Sequence, residues 1–216
     1  MTSERFYKWS TYALIAWASH WLVRDFIFAF THGTQEAAMN RSLLGLNITQ
    51  YGSLWTAVSA LGLIGVAGVY VEAAPRLGRL GTVGFVVSAL GFAMSFVAHV
   101  MQNWILNPNV YFHSPVVYGG WLLSIAAVFV MTAGLIVAGI GVMRSNALPR
   151  ERSLLLIIGL ISLPTALLHP LVVGGSDGSL ATELVYGSLS VPYGLCWLRM
   201  GLLRLAAARG TPASRW

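Results

Sequence analysis

Residues 116–143 read VVYGGWLLSIAAVFVMTAGLIVAGIGVM, a stretch without a single acid, base or amide. As an α-helix it is about 42 Å long at 1.5 Å per residue, against a hydrocarbon core of about 30 Å. A membrane strand needs only about ten residues and alternates apolar with polar. This stretch is three times that length and does not alternate. In lipid every backbone N–H and C=O has to be paired within the protein, and a helix does so within itself. The segment is therefore expected to be a transmembrane helix.

Working outward from it, five further segments are long and apolar enough to cross, at 9–30, 51–74, 81–106, 153–173 and 180–206. The fold expected is all-α: a polytopic membrane protein, one transmembrane domain over residues 1–216, built as a six-transmembrane-helix bundle. Composition agrees. Of the 216 residues 56% are apolar and only 9% charged, where a soluble domain carries about 25% charged residues. The opening run at 9–30 is long, aromatic and interrupted by His20, Arg24 and Asp25. A cleaved signal has a short apolar core and a small-x-small cleavage site, so this run is expected to be a retained first helix.

The net charge of +6 does not point to nucleic acid, because the basic residues form no tract. They mark topology instead. Arg5, Lys8, Arg76, Arg79, Arg144, Arg150, Arg152, Arg199, Arg204, Arg209 and Arg215 fall on one side of the six segments, and only Arg24 and Arg41 on the other. Basic residues collect in cytoplasmic connections. Both termini are thus expected in the cytoplasm, with the protein multi-pass in a plasma (inner) membrane. The longest external connection, 31–50, has a polar start and a leucine-rich end that suit an interfacial segment. The hairpins of segments two–three and four–five both turn at a Pro-Arg, at Pro75 and Pro149, and both carry a histidine 20 to 24 residues later, His99 and His169.

Combining this topology with depth places all five histidines in the outer half or beyond it. His20 lies about 18 Å from Lys8 and His169 about 24 Å into the fifth segment. His99 is near the outer end of the third, with Asn103 one turn further. Facing matters as well. Gly91, Ser95, His99 and Asn103 share one helical stripe, and small residues mark helix contacts in lipid. Intramembrane ionisable residues are costly unless paired or hydrated, and so read as functional by default. His20, Arg24, Asp25, His99, Asn103, His169 and Glu183 are accordingly the candidate lining of one polar ligand pocket opening outward. The plainer alternative is that Arg24 and Asp25 are interfacial and that the histidines tie helices together.

Three kinds of chemistry fit these residues. The first is binding of a small amphipathic or lipidic ligand, such as a lipid headgroup or a quinone-like molecule, with Arg24 anchoring an anionic group. The second is a cofactor. Two histidines at matching depth can hold haem b, and His20, His99 and His169 together can hold a divalent metal for an oxidoreductase or hydrolase. The third is a structural subunit of a larger membrane complex, or a homo-oligomer, whose other partners are membrane lipids. Whether the chain is an enzyme stays open at this level. No phosphate-cradling glycine loop, Gly-x-Ser-x-Gly or Ser-x-x-Lys occurs. Cys196 stands alone, so neither disulfide exchange nor a Cys-x-x-Cys metal site is available. The eight tryptophans read most simply as interfacial anchors.

Overall fold

The structure is a computed structural model, and it describes residues 3–30, 48–103, 114–174 and 180–208, with side chains described at 4–23, 53–103, 114–168 and 191–208. Those residues form helices α1 (Ser3–Phe30), α2 (Ile48–Ala73), α3 (Arg79–Asn103), α4 (Pro115–Ser145), α5 (Leu154–Gly174) and α6 (Leu180–Ala208), with a 3-10 turn at Ala74–Arg76. Each of the six expected segments coincides with one helix over most of its length, Ala74 passing into the 3-10 turn and Ser153 standing before α5, and the described residues contain no strand. Most of the external segment 31–50, residues 31–47, lies outside the described residues, while 48–50 already belong to α2. Residues 104–106, expected to end the third helix, also lie outside them.

Local chemistry sets the helix ends. α1 starts six residues before the apolar run because Glu4 and Lys8 pair one turn apart at 2.8 Å. Glu4 also complements the positive end of the helix dipole. α4 starts at Pro115, whose missing N–H is no loss in a first turn. The hydroxyl of Ser114 before it accepts the Val116 N–H at 3.2 Å. The same helix stops at Asn146, which takes the left-handed conformation (φ 52°, ψ 33°) that reverses a chain at a helix C-terminus. In the next connection the Glu151 carbonyl accepts the Leu154 N–H at 2.9 Å and starts α5.

Consecutive helices pack side by side, and α6 returns onto α1, so the bundle closes as a ring. One apolar core runs through all six, represented by Leu14, Val66, Phe92, Leu135, Ile158 and Trp197. The most extensive seam is α3 on α4. A Cβ on Gly84 would fall 2.1 Å from the Ala138 nitrogen, so any larger residue there would force the two backbones apart. Such close approach is the packing that lipid-embedded helices use when no hydrophobic effect separates them from their solvent.

The outside of the ring is apolar as well. Val83, Val86, Leu90 and Val97 on α3 and Leu160, Leu163 and Leu167 on α5 are exposed, a surface that water-soluble monomers avoid. Three helical stretches, Ser53–Arg76, Arg79–Asn103 and Pro115–Ser145, are long and apolar enough to cross a bilayer. The described residues thus build an all-helical structure whose three long apolar helices are consistent with a membrane protein.

Candidate functional site at the histidine end of the bundle

Trp55 on α2 organises the end of the bundle where the histidines were expected. Its indole is buried, 7% exposed, and lies against His20 of α1 (ring centroids 4.8 Å) and His99 of α3 (5.6 Å). The indole N–H donates to His99 Nε2. The other ring nitrogen, Nδ1, lies 2.6 Å from the Ser95 carbonyl, a group that can only accept. Nδ1 therefore carries the proton and the imidazole is the neutral Nδ1–H tautomer. The stripe read from sequence explains the local part of this arrangement: residues four apart on a helix lie one above the other, which brings Ser95 beneath His99.

Asn103 completes the stripe. Its amide donates to the His99 carbonyl at 3.0 Å and to Thr56 Oγ1 at 3.3 Å. The Thr56 hydroxyl in turn donates to the same His99 carbonyl at 3.2 Å. These bonds hold α2 to α3 with no net charge. Toward the middle of the bundle the polar layer gives way to an aromatic one. Trp21 meets Trp55 at 5.0 Å and Tyr193 at 5.9 Å, and Trp17 meets Phe92 at 5.4 Å and Trp197 at 5.5 Å, all in edge-to-face geometry. Edge-to-face contacts are the favourable arrangement for ring quadrupoles. The Tyr193 hydroxyl donates to the Met131 sulfur at 3.7 Å.

Of the expected pocket residues, the structure brings together His20, His99 and Asn103. The backbones of Arg24 and Asp25 continue α1 one turn beyond His20; His169 lies on α5 and Glu183 on α6. The side chains of these four residues lie outside the described residues. The structure adds Trp55, Thr56 and Tyr193 to these, together with Trp21, which the sequence reading set beside His20 but took first as an interfacial anchor. Trp17, Trp55 and Trp197 are buried and so are not interfacial anchors, because a belt tryptophan has to reach the headgroups. A depth estimate would have located Trp17 and Trp197, which sit well inside their segments, whereas Trp55, four residues into the second segment, would have stayed at the interface.

To ligate iron or zinc through Nε2, His99 would have to release the Trp55 indole N–H, whereas its Nδ1–H on the Ser95 carbonyl is a bond that a metal-bound histidine keeps. Among the described residues no three of His, Cys, Asp and Glu gather as a set able to hold a metal ion. What the structure gathers here is two imidazoles around an indole, with an amide and a buried hydroxyl beside them. Aromatic area with a few fixed polar groups is the chemistry from which sites for flat or amphipathic molecules are built. Compared with protein-family models, with curated proteins and with solved structures, the chain has no significant match.

Proposed function

We propose that the chain is a six-span plasma-membrane protein with both termini in the cytoplasm, and that it binds a small amphipathic or lipidic ligand in the outer half of its bundle. The observation that carries this reading is the position of Trp55 between His20 and His99, with Asn103 and Thr56 beside it. Arg24 and Asp25 follow one turn further along α1 by backbone position, and the reading assigns them the charge that a headgroup or a quinone-like ring oxygen needs. Membrane lipids are the natural partners, and a bundle this small is open to forming homo-oligomers. The haem or metal alternative, where it uses His99, requires that residue to release the Trp55 indole from Nε2 before it can ligate, and is the less economical reading.

The test is to extract the purified full-length protein and identify co-purifying lipids and quinones by mass spectrometry. The parent is expected to carry a bound species. Trp55→Ala and Arg24→Ala are each expected to lower its occupancy at least tenfold, equivalent to about 1.4 kcal/mol of binding. Unchanged content in both variants, with helicity intact, overturns the pocket. A Soret band or a stoichiometric metal that His99→Ala or His169→Ala abolishes overturns it in favour of the cofactor reading.

A further inference from the structure

The other end of the bundle holds a polar cluster that the ligand reading does not use. Arg204, near the end of α6, is 1% exposed. Its Nη1 lies 3.1 Å from Glu72 Oε2 on α2. Its Nε donates to Thr11 Oγ1 at 3.3 Å and its Nη2 to Ser10 Oγ at 3.4 Å, both on α1. The guanidinium stacks 4.6 Å from the Tyr7 ring centroid, and the Tyr7 hydroxyl donates back to the Arg204 carbonyl at 3.2 Å. Gly68 on α2 makes the room, since a Cβ there would fall 2.0 Å from Ser10 Oγ and 3.3 Å from Arg204 Nη2. One side chain thus ties α6 to α1 and α2.

The α4–α5 connection brings a second acid to this cluster. After Asn146 turns the chain, Ala147 and Leu148 are buried, and so are Leu154 and Leu155 where α5 begins. All four belong to the apolar core. Between them Glu151 is drawn in as well and is only 4% exposed, while Arg150 and Arg152 on either side of it are exposed. Its carboxylate accepts its own backbone N–H. No other side chain among the described residues hydrogen-bonds to it or forms an ion pair with it.

Two carboxyls and one guanidinium therefore share a dry end of the bundle. A buried carboxylate without a counter-charge is unstable there, and takes up a proton instead. The guanidinium is already committed, because Glu72 is the acid in contact with it. Glu72 also keeps water, with its side chain 32% exposed. Glu151 has neither advantage. Burial, and then the charge of Glu72, hold its carboxyl above its ordinary value, against the smaller opposing pulls of its backbone N–H, Arg204 and Arg150. A further sign comes from the ion pair itself. Arg204 Nη1 and Glu72 Oε2 are both buried without a hydrogen bond despite their close approach. The pair lacks the two-pronged geometry of the strongest arginine–carboxylate contacts, and a donor of the guanidinium stays open.

We propose that the buried carboxyl of Glu151 is a proton-binding site at the arginine-rich end of the bundle, kept neutral because Glu72 has taken the buried counter-charge, Arg204. The charged and titratable groups facing it are Tyr7 on α1, Glu72 on α2, Arg204 on α6 and Arg150 in its own connection. The proton exchanges with water, which reaches the exposed Arg150 and Arg152 on either side. Its affinity is tied to the ion pair: weakening the hold of Glu72 on Arg204 loosens the proton on Glu151. The site stands apart from the ligand proposal, and its test needs neither a ligand nor a membrane orientation.

The experiment is infrared difference spectroscopy of the full chain in detergent, titrated from acid to alkaline pH. It reads the C=O stretch of protonated carboxyls, with a D2O shift to identify it. The parent is expected to lose one such band at a midpoint above the ordinary 4.5, and Glu151→Gln is expected to lack that band. Glu72→Gln removes a like charge and leaves Glu151 as the acid facing Arg204, so the midpoint is expected to fall by about one pH unit, tenfold in proton affinity. Should that variant not fold, Arg150→Gln at the exposed neighbour is expected to move the midpoint the other way, by less. The proposal is overturned if the band survives in Glu151→Gln, or if no carboxyl titrates above the ordinary value. A midpoint that stays or rises in Glu72→Gln, or stays or falls in Arg150→Gln, also overturns it. Stability that answers to sodium at constant pH and is lost in Glu151→Gln identifies a bound alkali cation, and overturns the proton as the ligand.

Discussion

The two ends of the bundle solve the same problem, polar side chains among apolar helices, in opposite ways. At the histidine end the groups bonded to His99 are neutral, and their bonds run along α3 or cross to its neighbour α2: Ser95, His99, Asn103, Thr56 and Trp55 all lie on those two helices. At the arginine end the central group is a full charge, and its partners come from α1 and α2, as far as 197 residues away in sequence. A neutral network loses about one hydrogen bond when a member is removed, whereas a charged cluster loses the balance of the whole site.

The largest expected effect tests the charged end. Glu72→Gln leaves the Arg204 guanidinium buried and unpaired, and is expected to lower stability by about 3 kcal/mol, toward the low end for a buried pair because Glu72 is partly hydrated. Arg204→Met, which removes the buried charge and leaves a carboxylate that water can reach, is expected to cost clearly less. Equal losses in detergent unfolding, or the reverse order, would mean that the pair is worth no more than a surface salt bridge.

At the neutral end the expected loss is smaller. Trp55→Phe keeps an aromatic ring but leaves His99 Nε2 without its donor, for which about 1–2 kcal/mol is expected. The same unfolding measurement checks it. A loss as large as that of Glu72→Gln would erase the distinction drawn between the two ends.

The smallest effect is a slope with pH. Burial, and then the charge of Glu72, hold the Glu151 carboxyl above its ordinary value of 4.5, against the opposing pull of its own backbone and of Arg204 and Arg150. Below that ordinary value the group is protonated in the folded and unfolded chains alike and contributes no penalty. As pH rises past it the unfolded chain ionises first, so this contribution declines until the native group has ionised too. Glu151→Gln is therefore expected to flatten the fall of the unfolding midpoint between acid and neutral pH. An unchanged slope would place Glu151 outside the charged cluster.

How far each region could be read from sequence follows from the same contrast. His99 and its bonds to Ser95 and Asn103 were visible as residues four apart on one helix, since helical geometry alone makes them neighbours. That His20 shares the indole of Trp55 was not visible, because nothing in either segment encodes which faces of α1 and α2 meet. The cluster around Arg204 was not visible. The sequence counted it with ten other basic residues as a topology marker, and no spacing within α6 distinguishes it from Arg199, which is exposed. Only the return of α6 onto α1 buries the one and leaves the other outside.

The helices themselves needed nothing but the chain. Uncharged runs long enough to span hydrocarbon, with proline, serine and asparagine at their ends, have to become helices because lipid offers the backbone no other partner. The ring order, the aromatic layer and the pairing of Glu72 with Arg204 were settled only in three dimensions. Lipid-facing and core-facing residues on these helices are equally apolar, so composition leaves the facing of each helix open, and it is close packing between small residues that decides it.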